Sequence, residues 1–174
     1  MIDLNIAPIT TDRLILRTPL ESDFDASAAF MASDRTTFVG GKVTDEWQQW
    51  RGFMGSAGHW VLRGYGFFSV TLQDGTPIGR VGVNNHRMWP EPELGWHLFG
   101  GYEGQGYATE AARAARRWAY TERGLGPLIS QIHPDNHASA AVAKRLGATL
   151  ERESVLLGDP CHIYRHPDPA QGDA

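Results

Sequence analysis

One strand–turn–helix–strand pattern, from about residue 93 to residue 133, constrains the fold of this 174-residue chain more than any other stretch. Glu93-Leu-Gly-Trp-His-Leu-Phe99 alternates as a strand, with Leu94, Trp96 and Leu98 on one face and Glu93, Gly95 and His97 on the other. The glycine-rich turn Gly100-Gly-Tyr-Glu-Gly-Gln-Gly106 then opens a long helix. Its apolar stripe is Ala108, Ala111, Ala112, Ala115, Trp118 and Ala119, with Arg113, Arg116 and Arg117 off it. Leu128 to His133 is the next strand. Such a crossover is right-handed and sets its two strands parallel.

The flanking segments read as shorter elements. Arg13 to Arg17 is a strand, Glu21 to Ser33 a helix, and a second helix begins near Thr44 with Trp47, Trp50 and Met54 at helical spacing. Gly66–Leu72 and Pro77–Val83 form a hairpin around Asp74-Gly75, a pair suited to positive φ. Asp135-Asn136 starts a short helix over Ala138–Leu146 that Gly147 stops, and Thr149–Leu157 and Cys161–His166 are closing strands. Hairpin-length connections make these other strands antiparallel. The expected fold is therefore α+β, an α/β sandwich: a mixed, mostly antiparallel sheet of six to seven strands with one parallel βαβ crossover, flanked by about four helices.

At roughly 150 residues per domain the length argues for one domain. Residues 1–166 read as that domain and 167–174 as a disordered tail with nothing apolar to dock. The single Cys161 cannot build an internal disulfide framework, and the first residues show no basic-then-apolar leader, so the cytoplasm is the expected compartment. No apolar run reaches the roughly 20 residues of a membrane span. Sixteen basic against twenty acidic side chains, a net charge of −4, argue against a nucleic-acid binder. Six Trp, seven Phe and five Tyr exclude a disordered chain.

Gly104 and Gly106 stand between a strand and the N-terminus of the longest helix. Two glycines let several backbone N–H groups converge on one anion, and the helix dipole adds to the attraction. A diphosphate is the natural guest; a βα turn needing glycine for steric reasons alone is the competing reading. A P-loop would continue Gly-Lys-Ser/Thr, but Tyr107 follows Gly106. A dinucleotide fingerprint would place glycine or alanine where Thr109 stands.

Gly104-x-Gly106-Tyr-Ala-Thr-Glu-Ala111, followed by Asn136-x-x-Ser139 and Leu146-Gly147, resembles the GCN5-related N-acetyltransferase (GNAT) superfamily. Thr11-Asp-Arg-Leu-Ile-Leu-Arg17 and Glu93-Leu-Gly-Trp-His-Leu98 resemble its ribosomal-protein N-terminal acetyltransferase (RimJ/RimL-like) branch, and the likeness covers about residues 10 to 157. The resemblance implies direct transfer of an acetyl group from acetyl-CoA to a primary amine, on a protein N-terminus or a small molecule. It also implies coenzyme contacts from Leu94, Trp96, Gly104, Gln105, Gly106, Tyr107, Ala108, Thr109, Asn136 and Ser139. Three positions depart from the superfamily pattern. Gly101 replaces a Gln or Arg, Ala143 a common tyrosine, and Ala148 an aromatic.

An alkyl amine is mostly protonated at neutral pH, so the reaction needs a base. Glu93 leads the candidates, and the resembling branch often carries its base there; a solvent-facing edge carboxylate is the competing reading. His97, on the same face, has a suitable ordinary pKa near 6.5, and Glu91 comes third. Ser139 resembles the serine assigned to the departing thiolate, and it also reads as a helix-start serine satisfying backbone groups. Asn136 is an N-cap candidate as well as an implied contact of the pantetheine arm. The oxyanion would meet a backbone N–H between Leu94 and Trp96 if the strands splay there, an irregularity that Gly95 permits.

Trp47, Trp50 and Trp60 are expected to pack on the core, and Trp89 to face the acceptor. Arg113, Arg116 and Arg117 read as a solvated face or as partners of the coenzyme's terminal phosphate. His133 and His137 straddle Pro134, so no metal is expected. Cys161 reads as a strand residue rather than a nucleophile. Glu91, Glu93 and Glu103 would favour a cationic amine. No nucleic-acid or membrane partner is expected, and monomer or homodimer remains open. A non-catalytic acyl-CoA-binding or sensing domain of the same fold and a nucleotide-binding regulator are the rival readings.

Overall fold

A computed structural model describes residues 6–168; the first five residues of the segment read for a leader, and residues 169–174 of the expected tail, lie outside them. In chain order the elements are β1 (Ile9–Thr10), β2 (Leu14–Arg17), α1 (Phe24–Met31), α2 (Glu46–Arg63), β3 (Phe67–Leu72), β4 (Pro77–Asn84), β5 (Glu93–Leu98), α3 (Tyr107–Arg123), β6 (Ile129–Ile132), α4 (His137–Arg145), β7 (Thr149–Leu156) and β8 (Asp159–Arg165). The strands form one sheet in the order β1-β2-β3-β4-β5-β6-β8-β7. Only β5 and β6 run parallel, and the other pairs are antiparallel, as the crossover and the hairpins require. Eight strands rather than six or seven arise because the two-residue β1, too short to leave a periodicity, pairs with β2.

The alanine stripe explains how α3 packs. Ala111, Ala112, Ala115 and Ala119 are buried, and their small side chains let the helix lie close to the sheet over Leu14, Phe68, Val81 and Leu94. Arg116 corrects the expectation of a solvated arginine face: it is 1% exposed, while Arg113 and Arg117 are exposed. Helix α2 is also rotated from its expected stripe. Gln49, Phe53 and Trp60 are buried, whereas Trp47 is 66% and Met54 49% exposed. Gln49 turns inward because its amide donates to the carbonyls of Ala28 and Val43. The cap of α2 is Asp45, one residue after Thr44, accepting from the Gln48 N–H at 2.9 Å. Residues Glu21–Asp23, expected to open α1, form a 3-10 turn.

In the β3–β4 hairpin only Gly75 has positive φ, because the four-residue loop closes a turn from Gly75 N–H to the Leu72 carbonyl. At the other end of the chain the Tyr120 hydroxyl donates to the Pro167 carbonyl at 3.0 Å. Among the described residues no helix is long and apolar enough to cross a membrane.

Candidate active site

Strand β5 pairs with β4 at all six of its residues but with β6 only at Glu93↔Ile129. The two parallel strands therefore splay beyond that point, directly before the glycine turn that leads to α3. Gly101, Gly104 and Gly106 all hold positive φ (93°, 73° and 83°), which is costly for residues with a Cβ. At Gly101, the departure from the superfamily pattern, the backbone is left-handed and the N–H donates forward to the Glu103 carboxylate. No side chain caps α3, and the N–H groups of Gly104 through Thr109 have no acceptor among the described residues. They form a cradle of donors at a helix N-terminus, suited to a diphosphate.

Gly104, Gly106, Ala108 and Thr109 line a cleft of about 1050 Å³, whose basic wall is Arg113 and Arg117 from α3 and Arg145 from α4. Local cations thus oppose the chain's overall negative sign. The Thr11–Arg17 motif acquires a physical role at the same place. Thr11 and Arg13 both bind the Glu110 carboxylate, Arg13 donates to the Gln105 carbonyl at 2.9 Å, and its guanidinium lies 4.5 Å from the Tyr107 ring centroid. Gln105 points its amide back to the Gly101 carbonyl. Asn136 caps α4, accepting from the Ser139 N–H at 3.2 Å, and the Ser139 hydroxyl has no hydrogen-bond partner among the described residues. Trp96 packs between the main core and the small cluster of Ile132, Ala143, Ala148 and Tyr164, where the two alanines make room for Tyr164.

The opposite face of β5 lines a second cavity, of about 630 Å³. Glu93, Gly95 and His97 form its floor, as the period-two alternation requires. Trp89, His86, Phe67 and His133 stand around them, and its rim comes from Thr37–Gly41 after α1 and from the β7–β8 turn. Neither Ser139 nor the glycine turn lines this cavity, so the two faces of β5 carry the two groups of site residues separately.

Glu93 is held from three directions. One oxygen accepts from the Gln131 N–H at 3.0 Å, and the other from the Trp89 indole and the Gln131 amide. Three of about four acceptor positions of the carboxylate are thereby filled and one remains. Burial raises its pKa above the ordinary carboxylate value, against the lowering by these three donors. His97 is pushed down to about 4 by burial and by the charge of Arg80, which makes it a weak base. Glu91 is held low by Arg165, which binds it through two nitrogens, and Glu103 pairs with Arg35. Of the three carboxylates expected to steer a cation, two are thus engaged in ion pairs. Cys161 lines the same cavity with its thiol pKa raised by burial.

A buried polar chain backs the splay. Arg116 can only donate, so Nδ1 of His166 accepts from it (3.4 Å) and Nε2–H donates to Ser130 Oγ (2.9 Å). The Ser130 hydroxyl in turn donates to the Leu94 carbonyl at 2.6 Å. Arg116 also donates to the Leu146 carbonyl at the end of α4. The chain ties β5, β6, the segment after β8, α3 and α4 together behind the opening. Sequence reading misses Gln131, Ser130, His166 and Arg13 as parts of the site. The Thr11–Arg17 motif is a usable signal for Arg13, but the others meet Glu93 or Leu94 only through strand register.

The profile of the acetyltransferase (GNAT) domain family matches residues 13–149. An acetyltransferase of Agrobacterium tumefaciens, solved by crystallography, superimposes with a TM-score of 0.87 at 40% identity, covering 94% of this chain and 96% of that one. The uncharacterized protein YkkB of Bacillus subtilis is 27% identical over 167 residues, 90% of this chain and 93% of its own length. RimL, a ribosomal alpha-N-protein acetyltransferase solved in complex with coenzyme A, shares the fold with a TM-score of 0.76 at 21% identity, over 92% of this chain and 96% of that one.

Proposed function

Because the chain belongs to the acetyltransferase (GNAT) family and is an acetyl-CoA-dependent N-acetyltransferase, we propose that it acetylates a primary amine, at a protein N-terminus or on a small molecule, by direct attack in a ternary complex with Glu93 as base. The observation that carries this reading is the Glu93 carboxylate itself. It sits on the floor of the 630 Å³ cavity with one acceptor position left and a raised pKa. An incoming ammonium can donate to that position, and a carboxylate of raised pKa takes the proton more readily than an ordinary one.

Acetyl-CoA supplies an activated thioester. The N–H groups of Gly104 to Thr109 would hold its diphosphate, with Arg113, Arg117 and Arg145 near its remaining phosphate. Leu94 and Trp96 border the splay where the pantetheine arm would lie, and Asn136 and Ser139 stand at the start of α4. The uncommitted Ser139 hydroxyl is the donor for the departing sulfur, since Ala143 offers none. Occupation of the same cleft by coenzyme A in RimL, a protein of this fold, would support the coenzyme half of the reading.

The test is Glu93→Gln, assayed by thiol release from acetyl-CoA over a panel of amines and N-terminal peptides. The variant should lose about 10²–10⁴ in kcat and with it the acid limb of the pH profile. An unchanged kcat and pH profile would remove Glu93 as base. Coenzyme binding with no amine accelerating thiol release would instead favour a non-catalytic acyl-CoA sensor.

A further inference from the structure

Arg80 is a half-buried cation that the acetyl-transfer reading leaves without a task. It lies on β4, directly opposite His97 on β5 and Ser69 on β3. Its guanidinium donates to Ser56 Oγ and lies 5.7 Å from the Phe67 ring centroid, while its Nε is buried with no hydrogen-bond partner. No carboxylate stands within ion-pairing distance of it among the described residues. Asp23, the acid whose charge reaches it, is already bound by Arg17 at 2.6 Å and by Ser69 at 2.6 Å. Desolvation accordingly lowers the Arg80 pKa to about 10. A desolvated guanidinium with an open donor is an unfavourable structural element unless something anionic completes it.

Space for that anion exists. Arg80 borders a cleft of about 440 Å³ between α2 and the sheet, kept open on the helix side by Gly52 and Gly55. The cleft shares Phe67, Asn84, His86 and His97 with the acceptor cavity, so the two are neighbouring compartments of one surface. Its histidines add no competing cation. His59 uses both ring nitrogens on backbone groups of Tyr65 and Asn85, and His86 and His97 are held low by burial and by neighbouring positive charge.

Register sets the distance between the two polar ends. Arg80 pairs with His97 and Asn84 with Glu93, four residues along the same strands. At about 3.3 Å per residue the two points are ~13 Å apart. An extended peptide advances ~3.3–3.6 Å per residue, so that gap corresponds to roughly three or four residues.

We propose that Arg80 is an anion-binding subsite of the acceptor cavity and that the acceptor is an amine carrying a carboxylate about three residues away along an extended chain. The proposal rests on the acceptor amine being delivered to Glu93. The carboxylate has two possible sources, an acidic side chain of a longer peptide or the free C-terminus of a short one, and the assay separates them. Thiol release is measured with C-terminally amidated peptides carrying glutamate at the third, fourth or fifth position, each against its glutamine counterpart, and with short peptides as free acids against their amides.

A charge-assisted bond to guanidinium should raise kcat/KM of the best-placed carboxylate about ten- to hundredfold over its neutral twin. Arg80→Met should abolish that preference while leaving neutral acceptors within about twofold, and Arg80→Lys should keep part of it. A side-chain source is indicated by the glutamate series, a C-terminal source by the free-acid series. Acetylation of acidic and neutral acceptors at equal rates in the unmodified protein overturns the subsite alone. Calorimetric titration of the same peptides into unmodified protein and Arg80→Met reads the subsite without turnover. Should no amine be acetylated, tighter binding of the acidic peptides by the unmodified protein alone still upholds the subsite, and equal affinities refute it.

Discussion

Replacing His166 by glutamine should blunt the acid sensitivity of the fold. His166 is 1% exposed, and burial with the charges of Arg116 and Arg165 holds its pKa down to about 3, from 6.5. In the unfolded chain the imidazole takes up a proton as the pH falls below 6.5, whereas the folded protein resists until about pH 3. The unfolded state therefore binds more protons across that window, and stability present above it is lost as the pH falls. Each pH unit corresponds to about 1.4 kcal/mol for one group. Between pH 6.5 and about pH 5 the loss from His166 alone is about 2 kcal/mol.

Glutamine has an N–H for Ser130 and a carbonyl for Arg116, so His166→Gln preserves the direction of the polar chain and removes the titration. Urea unfolding of both proteins at about pH 7.5 and about pH 5 reads the effect. The stability advantage of the unmodified protein over the variant should fall by about 2 kcal/mol at the lower pH. His97, with its own depressed pKa, is present in both and cancels. A difference between the two proteins that is the same at both pH values would refute a neutral, buried His166.

Arg13→Met removes the guanidinium that holds the Gln105 carbonyl and the Glu110 carboxylate, and should raise KM for acetyl-CoA about tenfold with little change in kcat. Steady-state kinetics at varied acetyl-CoA check this, and an unchanged KM would mean that the loop keeps its shape without the strut. Two glycine substitutions should diverge in thermal or urea unfolding. Gly58→Ala in α2 meets nothing within 4 Å and should stabilise by about 0.5–1 kcal/mol, whereas Gly82→Ala would place its Cβ 2.0 Å from the Gly66 carbonyl and should destabilise by about 3 kcal/mol.

What the sequence discloses depends on how far apart the interacting residues lie. The crossover, the hairpin, the cap at Asn136 and the glycine turn are local, and each stands where periodicity and turn chemistry place it. The face of α2 is not local. Trp60 is buried as expected, but its indole N–H bonds the Phe67 carbonyl on the neighbouring strand, and in that orientation Phe53 is buried while Trp47 and Met54 are exposed. Arg116 read as solvated because arginine rarely enters a core, and only the partners at Leu146 and His166, thirty and fifty residues on, reverse that. Gln131 and Ser130 were invisible as site residues for the same reason. The pairing Glu93↔Ile129 is what sets them beside Glu93 and Leu94.

The alternation of β5 carries a consequence for how two substrates can meet. Odd residues of the strand floor the 630 Å³ cavity, while Leu94 is buried in the core under α3 and Trp96 packs toward α4. A sheet with complete hydrogen bonding would wall these sides off from one another, because a continuous ladder leaves no passage between strands. The single β5–β6 pairing removes that wall on one edge of β5. The groups freed by the splay are not left bare: Glu93 takes the Gln131 N–H, and Ser130 takes the Leu94 carbonyl. One of the two residues that close the opening's hydrogen bonds, Glu93, is thus also the one proposed as base. Fixing the carboxylate against the backbone of β6 also fixes its distance from the gap, so the proposed base and the gap are positioned by one set of bonds.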